Sequence, residues 1–265
     1  MIQLLKHLPT RKAAGPDQIP NVLLKECREE LSLLLCRFFT ACIQKGHHPK
    51  PFKHSITVVL KKPQKPDYIK PGAYRPIALL NTLAKALEAL VAKRISREAE
   101  AKGLLPDSQM GARPGRSTTT ALELITEQVH TVWRTNPKMV ASMLCLDISG
   151  AFDNVSHERL IHNLKMKAFP PSIIKFIQSF LQDRTTCLRL GEYLDCTRSQ
   201  TTGIPQGSTL SPILFLFFAS TLLPELEGKG VTAMGFVDDS NILAFGETTR
   251  ANCKKLEEAH DKCLQ

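Results

Sequence analysis

The stretch GFVDDSNILAFG, residues 235–246, places two adjacent aspartates between two apolar runs. Apolar runs on either side of a short polar step are typical of a β-hairpin, with Asp238 and Asp239 at its turn. Carboxylates are rarely buried unless they are paired or hold a metal. Asp is also a common turn residue, so an Asp-Asp pair alone is more often simply part of a structural turn.

A third aspartate ends another apolar segment. MVASMLCLDIS (139–149) is expected to form a buried strand that ends at Asp147. Pairing of this strand with the hairpin in one sheet would bring three carboxylates together. Clustered carboxylates repel one another unless cations lie among them, and hard oxygen ligands favour Mg²⁺ or Mn²⁺. The pattern therefore predicts a divalent metal site suited to phosphoryl transfer.

The charge of the chain is concentrated in one region. Of the 265 residues 43% are apolar and 23% charged, which is a core-forming composition, and the net charge is +10. Residues 44–116 hold 15 Lys/Arg and 5 Asp/Glu, so the other residues carry no net charge. This basic region favours a polyanionic partner, although a solvated basic face has the same composition.

Several classes of protein do not fit the sequence. The longest apolar stretch, residues 210–223, is too short to span a bilayer, and residues 1–20 show no secretory signal. The eight cysteines form no CxxC and no Cys/His metal spacing. We expect an intracellular protein with reduced cysteines.

Periodicity and turn residues predict alternating helices and strands. The predicted helices cover 20–46, 82–103, 120–133, 157–169, 171–184, 212–223 and 249–265. The predicted strands cover 55–63, 139–149 and the hairpin. Residues 61–80 are predicted to form a constrained loop, and residues 185–210 short strands and turns.

Two basic segments suit phosphate groups. Lys62 follows a predicted strand, and Arg75 lies in the rigid context AYRPI, where Lys offers a point charge and Arg a bidentate fork for a triphosphate. GARPGRST (111–118) combines Gly-rich backbone with Arg113 and Arg116, which suits a nucleic-acid backbone. Ordinary exposed surface would have the same residues.

The segment GIPQGSTLSP (203–212) predicts a specific loop around Gln206, ahead of an apolar helix. A Gln amide on such a loop can bind a sugar or a base, and the helix N-terminus favours phosphate. A plain strand-to-helix turn would need only the Gly and Pro residues. Phe152, in LDISGAFD, is either a core residue or an aromatic wall beside a nucleotide sugar.

Taken in order, these segments resemble the reverse transcriptase domain of non-LTR (LINE-type) retrotransposons. The resemblance extends from about Leu8 to Gly246 and implies an α+β right-hand polymerase fold, with fingers, an antiparallel palm sheet and packed helices. It is carried by GPDQIP, LKKPQKP, YRPIALLN, KALEALVAKRI, SQMGARPGRST, LDISGAFDNVSHERL, GIPQGSTLSPILF and FVDD.

The resemblance implies a role for each candidate residue. Asp147 and Asp238 would be ligands of Mg²⁺ or Mn²⁺, with Asp239 as the third carboxylate. Lys62 (with Lys61 and Lys65 as alternatives) and Arg75 would bind the triphosphate of the incoming nucleotide. Phe152 would exclude a ribose 2′-OH, and Gln206 with Gly207 would contact the nucleotide sugar. The template would be bound by Arg113, Gly115 and Arg116.

The resemblance also implies a domain plan. Residues 1–54 would be a helical extension of the fingers, 55–135 the basic fingers, and 136–265 an incomplete palm with 160–202 inserted as helices and short strands. The thumb would be missing, as in a truncated copy of an element. FVDD stands where the family commonly has FADD or YADD, and we expect Val237 to pack without loss of activity.

The implied activity is that of an RNA-directed DNA polymerase. A primer 3′-OH would attack the α-phosphate of a dNTP by two-metal phosphoryl transfer, with RNA template and DNA primer as partners and no membrane. Nuclear action would fit the family, with a cytoplasmic location as the alternative. Two other functions are open: an inactive nucleic-acid-binding remnant, and a metal-dependent nuclease, which would not explain Gln206 or Phe152.

Overall fold

The structure is a computed structural model that describes residues 1–263. Leu264 and Gln265, the end of the last predicted helix, lie outside the described residues. The helices are α1 Ile2–Lys6, α2 Asn21–Glu26, α3 Arg28–Lys45, α4 Thr82–Ala101, α5 Thr118–Thr135, α6 His157–Met166, α7 Pro171–Leu181, α8 Ser211–Phe218, α9 Leu222–Leu226 and α10 Thr249–Cys263. The strands are β1 His54–Lys61, β2 Tyr74–Leu79, β3 Val140–Asp147, β4 Arg184–Leu190, β5 Tyr193–Leu194, β6 Arg198–Gln200, β7 Val231–Phe236 and β8 Asp239–Gly246.

The chain forms two compact units. The first consists of Met1–Arg94 and Phe152–Ser211, and the second consists of Ile95–Ala151 and the chain from Pro212 onward. Each unit has its own sheet. The boundaries predicted from the sequence, after residues 54 and 135, stay predictions.

The sheet of the first unit has the order β2-β1-β4-β5, and β6 also pairs with β4. β1 is antiparallel to β2 and parallel to β4. The prediction of a loop over 61–80 was wrong for β2, because Pro76 is tolerated in an edge strand, which needs fewer backbone donors. The Lys62 N–H extends this pairing by donating to the Ala73 carbonyl at 2.8 Å.

The sheet of the second unit has the order β3-β8-β7 and is antiparallel throughout. One face packs Ile242 and Ala244 of β8 into a cluster with Leu226 of α9 and Ala259 of α10. β3 ends at Asp147 as predicted, but the prediction that it is buried was wrong, since Met143 is 52% exposed. β3 is an edge strand with one covered face, which explains this exposure.

Most predicted helices are present with shifted ends. The helix predicted over 20–46 is divided at Cys27 into α2 and α3, and α3 ends at Lys45, followed by Gly46 with a φ of +64°. The helix predicted from Pro212 ends at Phe218, and α9 follows it. Among the described residues, no helix combines the length and apolarity needed to cross a membrane.

Candidate active site

The antiparallel ladder of β3 and β8 pairs Asp147 directly with Asp239. Directly opposed residues of an antiparallel pair lie on the same face of the sheet, so both carboxylates share one surface. Asp238 is in the turn that precedes β8. The pKa of Asp239 is raised, first by partial desolvation and then by the negative charges of Asp238 and Asp147. The three aspartates picked out in the sequence therefore form one electrostatic cluster.

The chemistry of this cluster fits a hard divalent cation. Within residues 1–263, no group of three or more His, Cys, Asp or Glu side chains is arranged to hold a metal ion. Mg²⁺ at phosphoryl-transfer sites is commonly held by one or two carboxylates together with substrate phosphates and water. Asp147 and Asp239 offer oxygen donors on one face, and the repulsion among the three carboxylates favours cation binding.

The hairpin turn is supported by the segment that precedes the GARPGRST turn. The Met110 N–H donates to the Gly235 carbonyl at 2.7 Å, and the Gly235 N–H donates to the Ser108 carbonyl at 3.0 Å. Val237, in the turn, has a φ of +60°. This left-handed conformation is strained for a β-branched residue, so Val237 stays there because its surroundings hold it.

The GARPGRST turn holds its first arginine inside the protein. The Arg113 side chain is 2% exposed, and its guanidinium donates two hydrogen bonds of 2.8 Å to the Glu100 carboxylate. It also donates to the carbonyls of Pro106 and Gln109, at 2.6 and 3.2 Å. These bonds engage Arg113 in fixing the turn, and its predicted template contact stays a prediction.

The other two residues of the predicted template segment are more accessible. Arg116 forms an ion pair with Asp107 at 3.0 Å, and its side chain is partly exposed. Gly115 has a φ of +71° and nothing within 4 Å of an added Cβ position. The pKa of Glu100 is lowered, mainly by its hydrogen bonds from Arg113, so the pair that holds this turn is charged at neutral pH.

In the first unit, the Gln206 loop is joined to the loop that contains Phe152. The Ile204 N–H donates to the Phe152 carbonyl at 2.8 Å, and the Gly203 N–H donates to the Val155 carbonyl at 3.0 Å. A Cβ at Gly203 would lie 2.5 Å from the Asp153 carbonyl oxygen. Only glycine fits this close approach, which explains the GIP sequence before Gln206.

The same loop is joined to β2. The Ala78 N–H donates to the Gln206 carbonyl at 2.8 Å, and a Cβ at Gly207 would lie 2.5 Å from the Ala78 carbonyl oxygen. Arg75 is exposed on this strand, three residues before Ala78. The structure thus brings Gln206, Gly207 and the strand that carries Arg75 together within one unit.

A cavity of about 380 Å³ opens beside Gln206. Its lining residues include Asp153 and the pair Thr57 and Thr186, whose hydroxyls share a hydrogen bond of 2.7 Å. Desolvation raises the pKa of Asp153. A cavity of this size with both polar and apolar lining residues can hold a small ligand or part of a larger one.

Of the lysines considered for the triphosphate, Lys61 has a partner of its own. Its Nζ lies 5.3 Å from the centre of the Tyr68 ring, a cation–π distance. The Tyr68 hydroxyl donates to the Lys62 carbonyl at 2.8 Å, which fixes the ring. Lys65 is exposed and Lys62 is half-buried.

Sequence reasoning missed a buried carboxylate in the first unit. Glu88 of α4 is fully buried and accepts a hydrogen bond of 2.6 Å from Ser208. The available signal was its spacing: Ala84, Glu88 and Val91 follow one another at helical intervals, on the same buried face. A charged residue at an apolar position of the pattern marks a candidate for a buried polar contact.

Comparison with solved structures defines the class of fold. The apo telomerase of Candida Tropicalis superposes with a TM-score of 0.58 at 14% identity, over 89% of this chain and 46% of that chain. A form of the same telomerase truncated from the C-terminal domain gives 0.57 at 13% identity, over 91% and 52%. The mixed α/β fold with an antiparallel sheet and packed helices is that of a fingers-and-palm polymerase.

Comparison of sequences identifies the family. Residues 60–265 match the family described as reverse transcriptase (RNA-dependent DNA polymerase). A probable RNA-directed DNA polymerase from transposon X-element of Drosophila melanogaster is 33% identical over 95% of this chain and 27% of its own length. The corresponding protein from transposon BS of the same species is 32% identical, over 84% and 24%.

This chain belongs to the reverse transcriptase family. The resemblance to non-LTR retrotransposon enzymes is confirmed, since the relatives also include the RNA-directed DNA polymerase from mobile element jockey of Drosophila melanogaster, 28% identical over 99% of this chain and 29% of its own length. The chain spans about a quarter of the length of these relatives.

Proposed function

We propose that this chain is an RNA-directed DNA polymerase, which adds dNTPs to the 3′-OH of a DNA primer on an RNA template. The observation that carries the proposal is the pairing of Asp147 with Asp239 across β3 and β8, with Asp238 in the adjoining turn. Relatives that align with most of the chain are named as RNA-directed DNA polymerases.

The carboxylate face of the second unit is the proposed catalytic surface. Asp147, Asp238 and Asp239 would hold Mg²⁺ or Mn²⁺, which when bound activates the primer hydroxyl and stabilises the pyrophosphate leaving group. The β-ladder keeps Asp147 and Asp239 in register, and both side chains are exposed to an incoming substrate. The hydrogen bonds of Gly235 hold the hairpin that carries Asp238 and Asp239.

The first unit is the proposed nucleotide-binding part. Arg75 and Lys62 would neutralise the triphosphate, and the Gln206 amide would donate to or accept from the sugar. The backbone contacts of Gly207 and Ala78 support this assignment, because they leave the Gln206 loop little freedom. Phe152 would occupy the space of a ribose 2′-OH, so that deoxyribonucleotides are preferred.

The remaining proposed contacts are with the template. Gly115 offers exposed backbone and Arg116 a partly exposed guanidinium, which suit phosphate groups of an RNA strand. Arg113 would act indirectly, since its pairing with Glu100 holds the turn that carries both residues.

Primer extension on an RNA template with Mg²⁺ and dNTPs tests the proposed function. We expect extension by the chain and less than about one hundredth of that rate in Asp147→Asn and Asp239→Asn, because each removes a charge from the site. Asp261→Asn, at an exposed position of α10, is the matched control and should extend normally. Equal extension by Asp147→Asn would overturn the proposal; RNA binding without extension by the unmodified chain would identify a binding remnant instead.

The proposed role of Phe152 has its own test. Phe152→Ala should raise incorporation of ribonucleotides relative to deoxyribonucleotides by at least about tenfold, because the space beside the sugar is enlarged. Phe169→Ala, at a buried position near the end of α6, controls for loss of an aromatic side chain from the same unit. An unchanged preference in Phe152→Ala would contradict the assignment.

A further inference from the structure

A buried carboxylate lies within hydrogen-bond reach of the segment that follows Gln206. Glu88 is 0% exposed, and its Oε2 accepts a hydrogen bond of 2.6 Å from Ser208 Oγ. Its Oε1 lies 3.6 Å from His48 Nε2. Burial of a carboxylate carries a large desolvation cost, so its contacts with neighbouring groups matter to the local structure. None of the roles assigned above uses Glu88.

The hydroxyl groups of Ser208 and Thr209 join the segment 208–211 to α4, and the Ser208 hydroxyl also makes a hydrogen bond within the segment. Ser208 Oγ donates to Glu88 and also accepts from the Leu210 N–H at 3.0 Å. Thr209 Oγ1 donates at 3.0 Å to the carbonyl of Lys85, which is three residues before Glu88 on the same helix. An alanine at position 208 could make neither of the Ser208 contacts, whereas a threonine has the hydroxyl for both.

The Gln206 loop is thus held from two sides. On one side, the Gln206 carbonyl accepts from Ala78 of β2 at 2.8 Å, and Gly207 leaves no space for a Cβ beside Ala78. On the other side, Ser208 is bonded to Glu88. Gln206 lies between these attachments, two residues before Ser208, and is one of the residues that line the cavity in this unit.

We infer that Glu88 is a positioning residue for Gln206, acting through the Ser208 hydroxyl to fix the loop that binds the nucleotide sugar. The inference rests on the proposed polymerase function. The attachment holds the loop in place before a nucleotide arrives, so the Gln206 amide meets the sugar without the loss of loop freedom that would otherwise oppose binding.

Glu88 has a second set of neighbours, which suggests a purely structural alternative. His48 is fully buried, and so is nearly all of Arg184. In the structural alternative, Glu88 only balances the charge of the Arg184 guanidinium and contacts the buried His48 ring. Loss of the Ser208 hydroxyl would then change stability but not nucleotide binding.

Kinetics of primer extension separate the two interpretations. Ser208→Ala should raise the KM for dNTP about tenfold, as expected for loss of a hydrogen bond to a charged group, with kcat changed less than about twofold. Ser208→Thr should restore the KM. In a Gln206→Ala background, Ser208→Ala should have no further effect on the KM, because the amide that the hydroxyl positions is gone.

Ser220→Ala is the matched control, since Ser220 is also buried and donates to the Phe217 carbonyl at 3.0 Å in the second unit. It should leave the KM for dNTP unchanged. Hydrogen exchange of the amides in 203–211 gives a second readout that does not need activity, and exchange there should be faster in Ser208→Ala than in the unmodified chain.

The outcomes distinguish the inference from the proposed function. If the unmodified chain extends the primer, two results overturn the inference alone. One is an unchanged KM for dNTP in Ser208→Ala. The other is an equal effect of Ser208→Ala on this KM in the unmodified and the Gln206→Ala backgrounds. Unchanged hydrogen exchange over 203–211 also overturns it. Absence of extension by the unmodified chain overturns the proposed function and, with it, the link of Glu88 to nucleotide binding.

Discussion

Gly111 lies against the turn residue Val237, and the contact leaves no space for a side chain. A Cβ at position 111 would be 2.5 Å from Val237 Cγ2 and 2.7 Å from the Val237 nitrogen. The neighbouring Met110 N–H donates to Gly235 of the same hairpin. The first glycine of the GARPGRST segment therefore supports the hairpin that carries Asp238 and Asp239.

Gly111→Ala should lower both stability and activity. The added methyl group overpacks a contact with backbone atoms, so we expect a loss of about 1–3 kcal/mol in the free energy of unfolding. Extension activity should fall by more than the loss of folded protein alone explains, because a displaced turn also displaces the adjacent Asp238. Thermal unfolding and primer extension measure the two effects.

Gly228→Ala is the control for this change, since nothing lies within 4 Å of the added Cβ and its backbone needs no positive φ. It should be neutral in both measurements. Normal extension by Gly111→Ala would show that the hairpin does not depend on this contact.

Arg113→Gln should be strongly destabilising although it lies on a surface turn. The change removes two hydrogen bonds to Glu100 and leaves the carbonyls of Pro106 and Gln109 without this donor. We expect a loss of roughly 2–4 kcal/mol in the free energy of unfolding, less than the roughly 3–5 kcal/mol for a fully buried pair, because Glu100 is 34% exposed. Chemical denaturation gives the free energy of unfolding.

Arg134→Gln provides the comparison, because Arg134 also pairs with a glutamate in the same unit but is 68% exposed. Its loss should cost less than about 1 kcal/mol. Equal effects of the two substitutions would mean that burial of Arg113 adds nothing to stability.

The features that the sequence predicted correctly are those that depend on local pattern. The hairpin around Asp238 and the end of β3 at Asp147 follow from apolar runs that stop at polar residues. The register of Asp147 with Asp239 could not be read from the sequence, because it is set by packing between segments far apart in the chain.

The features that the sequence did not predict also depend on contacts between segments far apart in the chain. The sequence predicts a loop where β2 lies, because Pro76 and the Gly and Lys residues before it outweigh a short strand signal, whereas pairing with β1 decides the structure. The pairing of Arg113 with Glu100 could not be predicted from the sequence, because Glu100 is thirteen residues away on the preceding helix. Burial of Glu88 was visible in the helical spacing but needs Ser208, from a distant segment, to be explained.

Stability should fall in mild acid because of His48. Burial lowers the pKa of this histidine below its ordinary value of 6.5, as do the charges of Arg184 and Lys53, against the opposing effect of Glu88. Between 6.5 and the lowered pKa, the unfolded chain binds a proton that the folded chain does not. The free energy of unfolding therefore falls as the pH falls below 6.5, by up to about 1.4 kcal/mol per pH unit.

His48→Gln should remove this contribution, whatever its effect on stability at neutral pH. The measurement is the slope of unfolding free energy against pH between 6.5 and 5, compared with that of the unmodified chain. His162→Gln, at an exposed position of α6, is the control and should leave the slope unchanged. The same slope in His48→Gln and the unmodified chain would contradict the assignment to His48.

Mg²⁺ should stabilise the chain through its carboxylate face. At a concentration ten times the dissociation constant, binding to the folded state alone adds about 1.4 kcal/mol, which thermal unfolding with and without EDTA can measure. Asp147→Asn should abolish this gain. Without Mg²⁺, the same variant should be slightly more stable than the unmodified chain, because the charge of Asp147 opposes ionisation of Asp239. Asp261→Asn should keep the full gain, and an equal Mg²⁺ effect in Asp147→Asn would locate cation binding away from this face.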